Sequence, residues 1–236
     1  GPYVARSGGA GSLDVSVVPT ATQATVLLDD LLGVTALAAR AGGPALTLDL
    51  AGYAALLAAA DALQSARLAS RLARSRVPEP QFTAAELERQ LALGLDSADS
   101  RWAVSAARLI APLPLAGAAG QLESGCAALV ASGTLAQSEG GYRLTRAGYE
   151  LGDAFGQLVT TAGVRLSLVR DQRWQAVSQF NLFRTATSIW VAAWVAATPS
   201  LTDVRLQELS VSGGLSLLRG LLEPRSVFGE EASPTP

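Results

Sequence analysis

The sequence predicts an α+β fold, and three observations lead to it. Apolar residues recur at helical spacing from Thr22 to about Ser132, the period changes to two from Val164 to Val211, and 49% of the 236 residues are hydrophobic. That apolar content can bury a sizeable core. Residues 1–12 are rich in glycine and serine, residues 224–236 in proline, serine and glutamate. Neither segment has an apolar period, so both are expected to be loose tails. Gly1-Pro2 has the form of a scar left by protease cleavage of an expression tag. The ordered body is expected over 13–223, as a helical region to residue 156 and then an antiparallel meander with a closing helix over 157–223.

The first helix is expected from Thr22 to Arg40, with Val26, Leu27, Leu31 and Leu32 on one stripe and Gly42-Gly43-Pro44 as its stop. A second runs from about Ala51 to Arg76 and turns Leu56, Leu57, Leu63, Leu68 and Leu72 toward the core. Arg67, Arg71 and Arg74 recur on its more exposed side, either as a solvated face or as a docking strip for an acidic partner, and Pro78 and Pro80 end it. Thr83 and Glu86 have the spacing of a capping box, which starts a helix running to about Leu93. Asp96 or Ser97 is expected to begin the next, through Trp102 and Arg108 to Ile110, and Gln121 to Ser132 forms another, closed by Gly133.

Alternation then takes over. Val164, Leu166 and Leu168 mark one strand, Val177 to Phe183 a second, Ser188 to Ala196 a third and Val204 to Val211 a fourth, with Gly213-Gly214 leading into a helix over Leu215 to Leu222. Short connections between them imply a four-stranded antiparallel sheet. In the third strand Ile189, Val191, Ala193 and Val195 share one face, while Trp190 and Trp194 take the other.

Composition excludes several chemistries. There is no histidine, so imidazole metal sites and histidine-based triads are impossible. The single cysteine, Cys126, permits no internal disulfide, and its apolar surroundings suit a core residue better than a nucleophile. No phosphate-binding glycine motif or nucleophile elbow occurs. Asp29 and Asp30 are adjacent on a helix and point about 100° apart, so they do not converge on one substrate atom. No catalytic residue, cofactor or metal is therefore expected. The longest apolar run, Ile189 to Ala197, is far short of the roughly 20 residues that span a membrane, and a cytoplasmic location is expected.

Two stretches resemble each other. Leu46-Thr47-Leu48-Asp49-Leu50-Ala51-Gly52-Tyr53 and Tyr142-Arg143-Leu144-Thr145-Arg146-Ala147-Gly148-Tyr149 each follow a glycine pair, begin with a strand-like triplet and open a helix with Ala-Gly-Tyr, as a duplicated supersecondary unit would. The first copy is the weaker, because Asp49 stands where Thr145 caps the second. The second copy, with Leu129 to Leu135 and the turn Glu139-Gly140-Gly141, resembles the wing of a winged-helix domain, and the likeness covers about 83–156. By element order over about 125–223, the chain also resembles the EspG-type chaperones of actinobacterial type VII secretion.

The winged-helix resemblance implies a DNA-binding transcriptional regulator, with Arg143 and Arg146 touching the nucleic-acid backbone. Against it, the candidate recognition helix, Gly120 to Ser132, carries no cation, and the chain has a net charge of −2 and a pI near 5.2. The reading taken forward is a non-catalytic module that binds another protein, an adaptor, scaffold or secretion-chaperone-like protein, with self-association as a homodimer among its expected modes. Trp174, Trp190 and Trp194 are its candidate contacts, because large aromatic groups supply much of an interface's energy, together with Arg67, Arg71 and Arg74.

Overall fold

Tyr3–Ser7 forms a strand (β1) paired antiparallel with Leu13–Val17 (β2), in the register Tyr3↔Val17 to Ser7↔Leu13. The N-terminal segment, expected to be a loose tail, therefore begins with strand structure. Tyr3 and Val4 favour extended backbone, and the valines of β2 supply the matching strand. The structure, a computed structural model, describes residues 3–7, 13–17, 22, 23, 26, 29, 33, 43, 45–75, 80–110, 115–170, 173–198 and 201–222. Side-chain surroundings are outside the description for 3–17, 110, 164–179, 194–202 and 218–222.

The chain divides into one unit of residues 1–42 with 209–236 and another of residues 43–208. The first unit holds β1, β2 and a helix over Val211–Leu222. That helix starts four residues ahead of expectation because Ser210 caps it, its Oγ accepting the Gly213 N–H at 3.0 Å. Gly213-Gly214 thus lies in the first turn instead of leading into it. Most of the helix expected over Thr22 to Arg40 lies outside the described residues; Val26, placed on its apolar stripe, is 55% exposed.

In the second unit Ala45–Leu48 (β3) leads into a long helix, Leu50–Leu72 (α1). Every residue from Ala51 to Asp61 is buried. The alanines there let neighbours approach from all sides, and α1 becomes the axis of the unit. Around it pack Ala84–Asp96 (α2), Ala103–Ile110 (α3), Leu122–Ala131 (α4) and Arg146–Phe155 (α5). Leu56, Leu57 and Leu63 are in the core as expected, but Leu68 and Leu72 are 43% and 87% exposed. In the last turns of α1 one side is still covered, at buried Ser70, while the side carrying Leu68 and Leu72 is open, so its apolar period continues onto an exposed face.

α2 starts at the capping box the sequence shows: Thr83 Oγ1 accepts from the Glu86 N–H at 3.2 Å, and Glu86 accepts from the Thr83 N–H at 2.8 Å. α3 begins at Ala103, later than the Asp96 or Ser97 start expected. Residues 97–102 are instead held in turns, in which Ser97 Oγ accepts from Asp99 N–H and Asp99 from Arg101 N–H. The cap of α3 comes from another helix. Buried Asp61 of α1 accepts from Ala103 N–H at 2.6 Å and from Val104 N–H at 3.1 Å. Burial raises the Asp61 carboxyl to about 7, against the opposing pull of those two hydrogen bonds.

Beyond α5, Leu158–Arg170 (β7), Arg173–Thr185 (β8), Ile189–Thr198 (β9) and Leu201–Leu209 (β10) form the expected run of strands. Their sheet has five strands, in the order β3-β10-β9-β8-β7, because Ala45–Leu48 pairs antiparallel with Val204 to Gln207. The expectation of four read Leu46-Thr47-Leu48 as strand-like but did not join it to this sheet, because its partner lies far away in sequence. The boundary expected between residues 156 and 157 falls inside this unit. Phe155 of α5 meets Phe183 of β8 edge-on at 5.2 Å and lies 6.0 Å from the Trp190 ring, so helices and sheet share one core.

Candidate interaction site

A cleft and a small sheet adjoin α4. Its inward residues, Leu122, Gly125, Cys126 and Leu129, are buried. Gly125 has no substitute at this crossing: a Cβ there would lie 2.3 Å from the Ala51 carbonyl oxygen of α1. After Gly133, which takes the left-handed φ of 75°, come Leu135–Ser138 (β5) and Gly141–Leu144 (β6), a hairpin turning through Glu139 and Gly140. A short strand, Gln81–Phe82 (β4), pairs with the other edge of β6 and completes a three-stranded sheet. β4 has no signature in the sequence, since two residues carry no period.

Thr145 then caps α5, accepting from the Gly148 N–H at 3.2 Å while its own hydroxyl donates to the Gly133 carbonyl at 2.6 Å. The related stretch behaves in the same way: Asp49 accepts from the Gly52 N–H at 2.6 Å. A carboxylate substitutes for the hydroxyl there, so the feature that set the first copy apart in sequence performs the same task. Both stretches are a strand, a capping side chain and a helix opened by Ala-Gly-Tyr.

Electrostatically, α4 is closed at its N-terminus. Gln121 precedes it without a side-chain capping bond, and Glu88 of α2 fills the role, accepting from Gly120 N–H at 2.8 Å and Leu122 N–H at 3.2 Å. Glu88 thus serves the start of a neighbouring helix from the second turn of its own. Glu123 in the first turn of α4 accepts the Tyr142 hydroxyl at 2.6 Å, and that bond, with burial second, pushes the phenol up to about 12. Burial, followed by Glu123 and Glu88, pushes the Cys126 thiol up to about 11. It is therefore held protonated in the core. The outward residues of α4, Glu123, Ser124, Ala127 and Ala131, include no cation. An open cleft of about 540 Å³ lies between α4, the start of α2 and the hairpin, with Glu123 and Glu139 in its walls.

The structure places the candidate residues apart. Trp190 is buried, its Nε1 donating to Ser188 Oγ at 3.0 Å, and it belongs to the core shared with Phe155. Trp174 lies on β8 and Trp194 on β9, and their side chains fall outside the described residues. Arg67 is in an ion pair with Asp153 of α5. Arg71 and Arg74 are exposed at the end of α1. Arg143 is exposed on β6, and Arg146 pairs with Glu150 one turn along α5 at 3.1 Å. Sequence reasoning missed Asp61, the reach of Glu88 and the Tyr142–Glu123 bond; each joins segments with no common motif.

Among the described residues no group of histidine, cysteine or carboxylate side chains is placed to hold a metal, and no helix is long and apolar enough to cross a membrane. Comparison of the chain with protein-family models, with curated proteins and with solved structures finds no match.

Proposed function

We propose that the chain is a non-catalytic protein-interaction module, an adaptor or scaffold whose helical part resembles a winged helix in element order. The observation that carries the reading is the state of α4. In a winged helix that reads DNA this element meets the duplex, and its N-terminal amides suit a phosphate. Here Glu88 already accepts from the Gly120 and Leu122 N–H groups, Glu123 stands beside them, and no cation lies on the outward face. Duplex affinity comes largely from arginine and lysine neutralising phosphates, so this surface repels the ligand its shape would suggest. A protein partner with polar or basic groups suits it.

The DNA-binding regulator is the second reading, favoured by one observation, the exposed Arg143 on the hairpin. One experiment separates the two. Fluorescence polarisation with random duplex DNA at about 50 and about 200 mM salt is run beside affinity capture with the full chain from its source cells. The module reading expects no salt-sensitive DNA binding and a captured protein, the chain itself included. Salt-sensitive binding abolished by Arg143→Ala with Arg146→Ala overturns it, as does a capture that returns no partner and a monomeric mass by light scattering.

A further inference from the structure

We infer that the C-terminal end of α1 is a docking strip for an acidic, leucine-bearing helical segment of a partner protein. The inference rests on the protein-interaction reading and adds a second surface, separate from the α4 face and opposite to it in charge. Leu68 and Leu72 are one helical turn apart and stand 43% and 87% exposed, so they form an apolar ridge on the open side of the last turns, opposite buried Ser70. Arg71 and Arg74 flank it, both exposed and neither in an ion pair among the described residues. No acidic residue occurs from Ser65 to Ser75. Arg67, held by Asp153, marks where the strip ends and the packed part of the helix begins.

The backbone adds an independent observation. α1 closes in a Schellman arrangement, with Ser75 N–H donating to the Ser70 carbonyl at 3.0 Å and Arg74 N–H to the Arg71 carbonyl at 3.2 Å. Arg74 occupies the left-handed position, with a φ of 51°. Glycine is the residue that takes this conformation without steric cost, and the chain uses it at Gly33, Gly120, Gly133 and Gly140. Arg74 is the only non-glycine among the described residues with a positive φ. The helix dipole favours a cation near this end but does not require one at the strained position. The left-handed backbone sets the Arg74 side chain at the very end of the helix, beside Leu72 and Arg71. Two guanidinium groups beside a leucine pair match a helix that offers leucines at the same spacing with carboxylates alongside, since arginine binds carboxylates in a bidentate fork.

The test uses the full chain, labelled with nitrogen-15, and a synthetic amphipathic peptide of roughly 18 leucine and glutamate residues. Amide shifts should concentrate on residues 65–75. Leu72→Ser should weaken binding about tenfold and Arg74→Gly about fivefold. Arg74→Gly should also raise Tm by about 2 °C, because it relieves the backbone. A purely structural Arg74 gives the Tm rise with binding unchanged, and that overturns the proposal. So does equal binding of the matching lysine and leucine peptide, or engagement of the strip by phosphatidylserine vesicles alone. If a partner captured by the full chain binds Leu72→Ser and Arg74→Gly as well as wild type, the strip is wrong while the module reading stands. If no partner is captured and the chain is a monomer, the module reading itself falls.

Discussion

Asp61 and Ala103 belong to different helices, yet the carboxylate of the first accepts the N–H of the second at 2.6 Å, and through it α1 caps α3. Both ends of this bond are buried. Removing the carboxylate leaves the Ala103 and Val104 N–H groups without it in a site water does not reach. Asp61→Ala is expected to lower unfolding free energy by about 2–4 kcal/mol, measured by urea denaturation monitored by circular dichroism.

The same residue gives the chain a signature in pH. Its folded-state value of about 7 lies above the 3.8 of an ordinary aspartate. The folded state therefore binds the proton more tightly, and the contribution to stability is fully present below about pH 3.8 and lost as pH rises through about 7. The stability gap between wild type and Asp61→Ala should narrow by about 3 kcal/mol from about pH 4 to about pH 8. Denaturation at four pH values across that window checks it, and a constant gap would show that Asp61 titrates normally.

The crossing of α1 and α4 leaves no room for a methyl group. Gly125→Ala is expected to cost about 2–3 kcal/mol, because the new Cβ meets backbone that no rotamer change can move. At Gly120, where nothing lies within 4 Å of a Cβ, the strain of the left-handed φ of 77° is the whole penalty. Gly120→Ala should therefore lower Tm by less than Gly125→Ala does in the same thermal scan.

Cys126 supplies a reactivity test. Its thiol is buried and held at about 11, so the native chain should resist N-ethylmaleimide near neutral pH, and one equivalent should react once guanidinium unfolds it. Mass spectrometry before and after denaturation reads this directly. Rapid labelling of the folded chain would place the thiol at the surface.

Tyr142→Phe removes the hydrogen bond to Glu123 without changing the ring's packing. A loss of about 1 kcal/mol is expected, because the bond reaches a charged group at a partly open site. The absorbance titration of wild type should show one phenol ionising near 12 that the variant lacks.

Local chemistry was legible in the sequence, and distant pairing was not. The Thr83–Glu86 capping box, the Gly140 turn and the Thr145 cap were readable because each is complete within a few residues. β4 was not, nor was the partner of β3, whose strand-like triplet was visible while its pairing with β10 was not. The period of α1 was read correctly as far as Leu63. It misled at Leu68 and Leu72, because periodicity reports a face and not whether anything covers it. Of the candidate site, the arginines of α1 were visible as a stripe. The ion pair that withdraws Arg67 and the left-handed backbone at Arg74 required coordinates.

The pairing of Leu48 with Val204 also governs when the second unit can form. During synthesis α1, whose residues Ala51 to Asp61 are all buried in the folded chain, is made well before β10, the strand that pairs with β3 beside it. Contacts so distant in sequence close slowly, and the intermediate exposes apolar surface while it waits. Synthesis of this chain should therefore depend on chaperones to an extent that its native stability does not indicate.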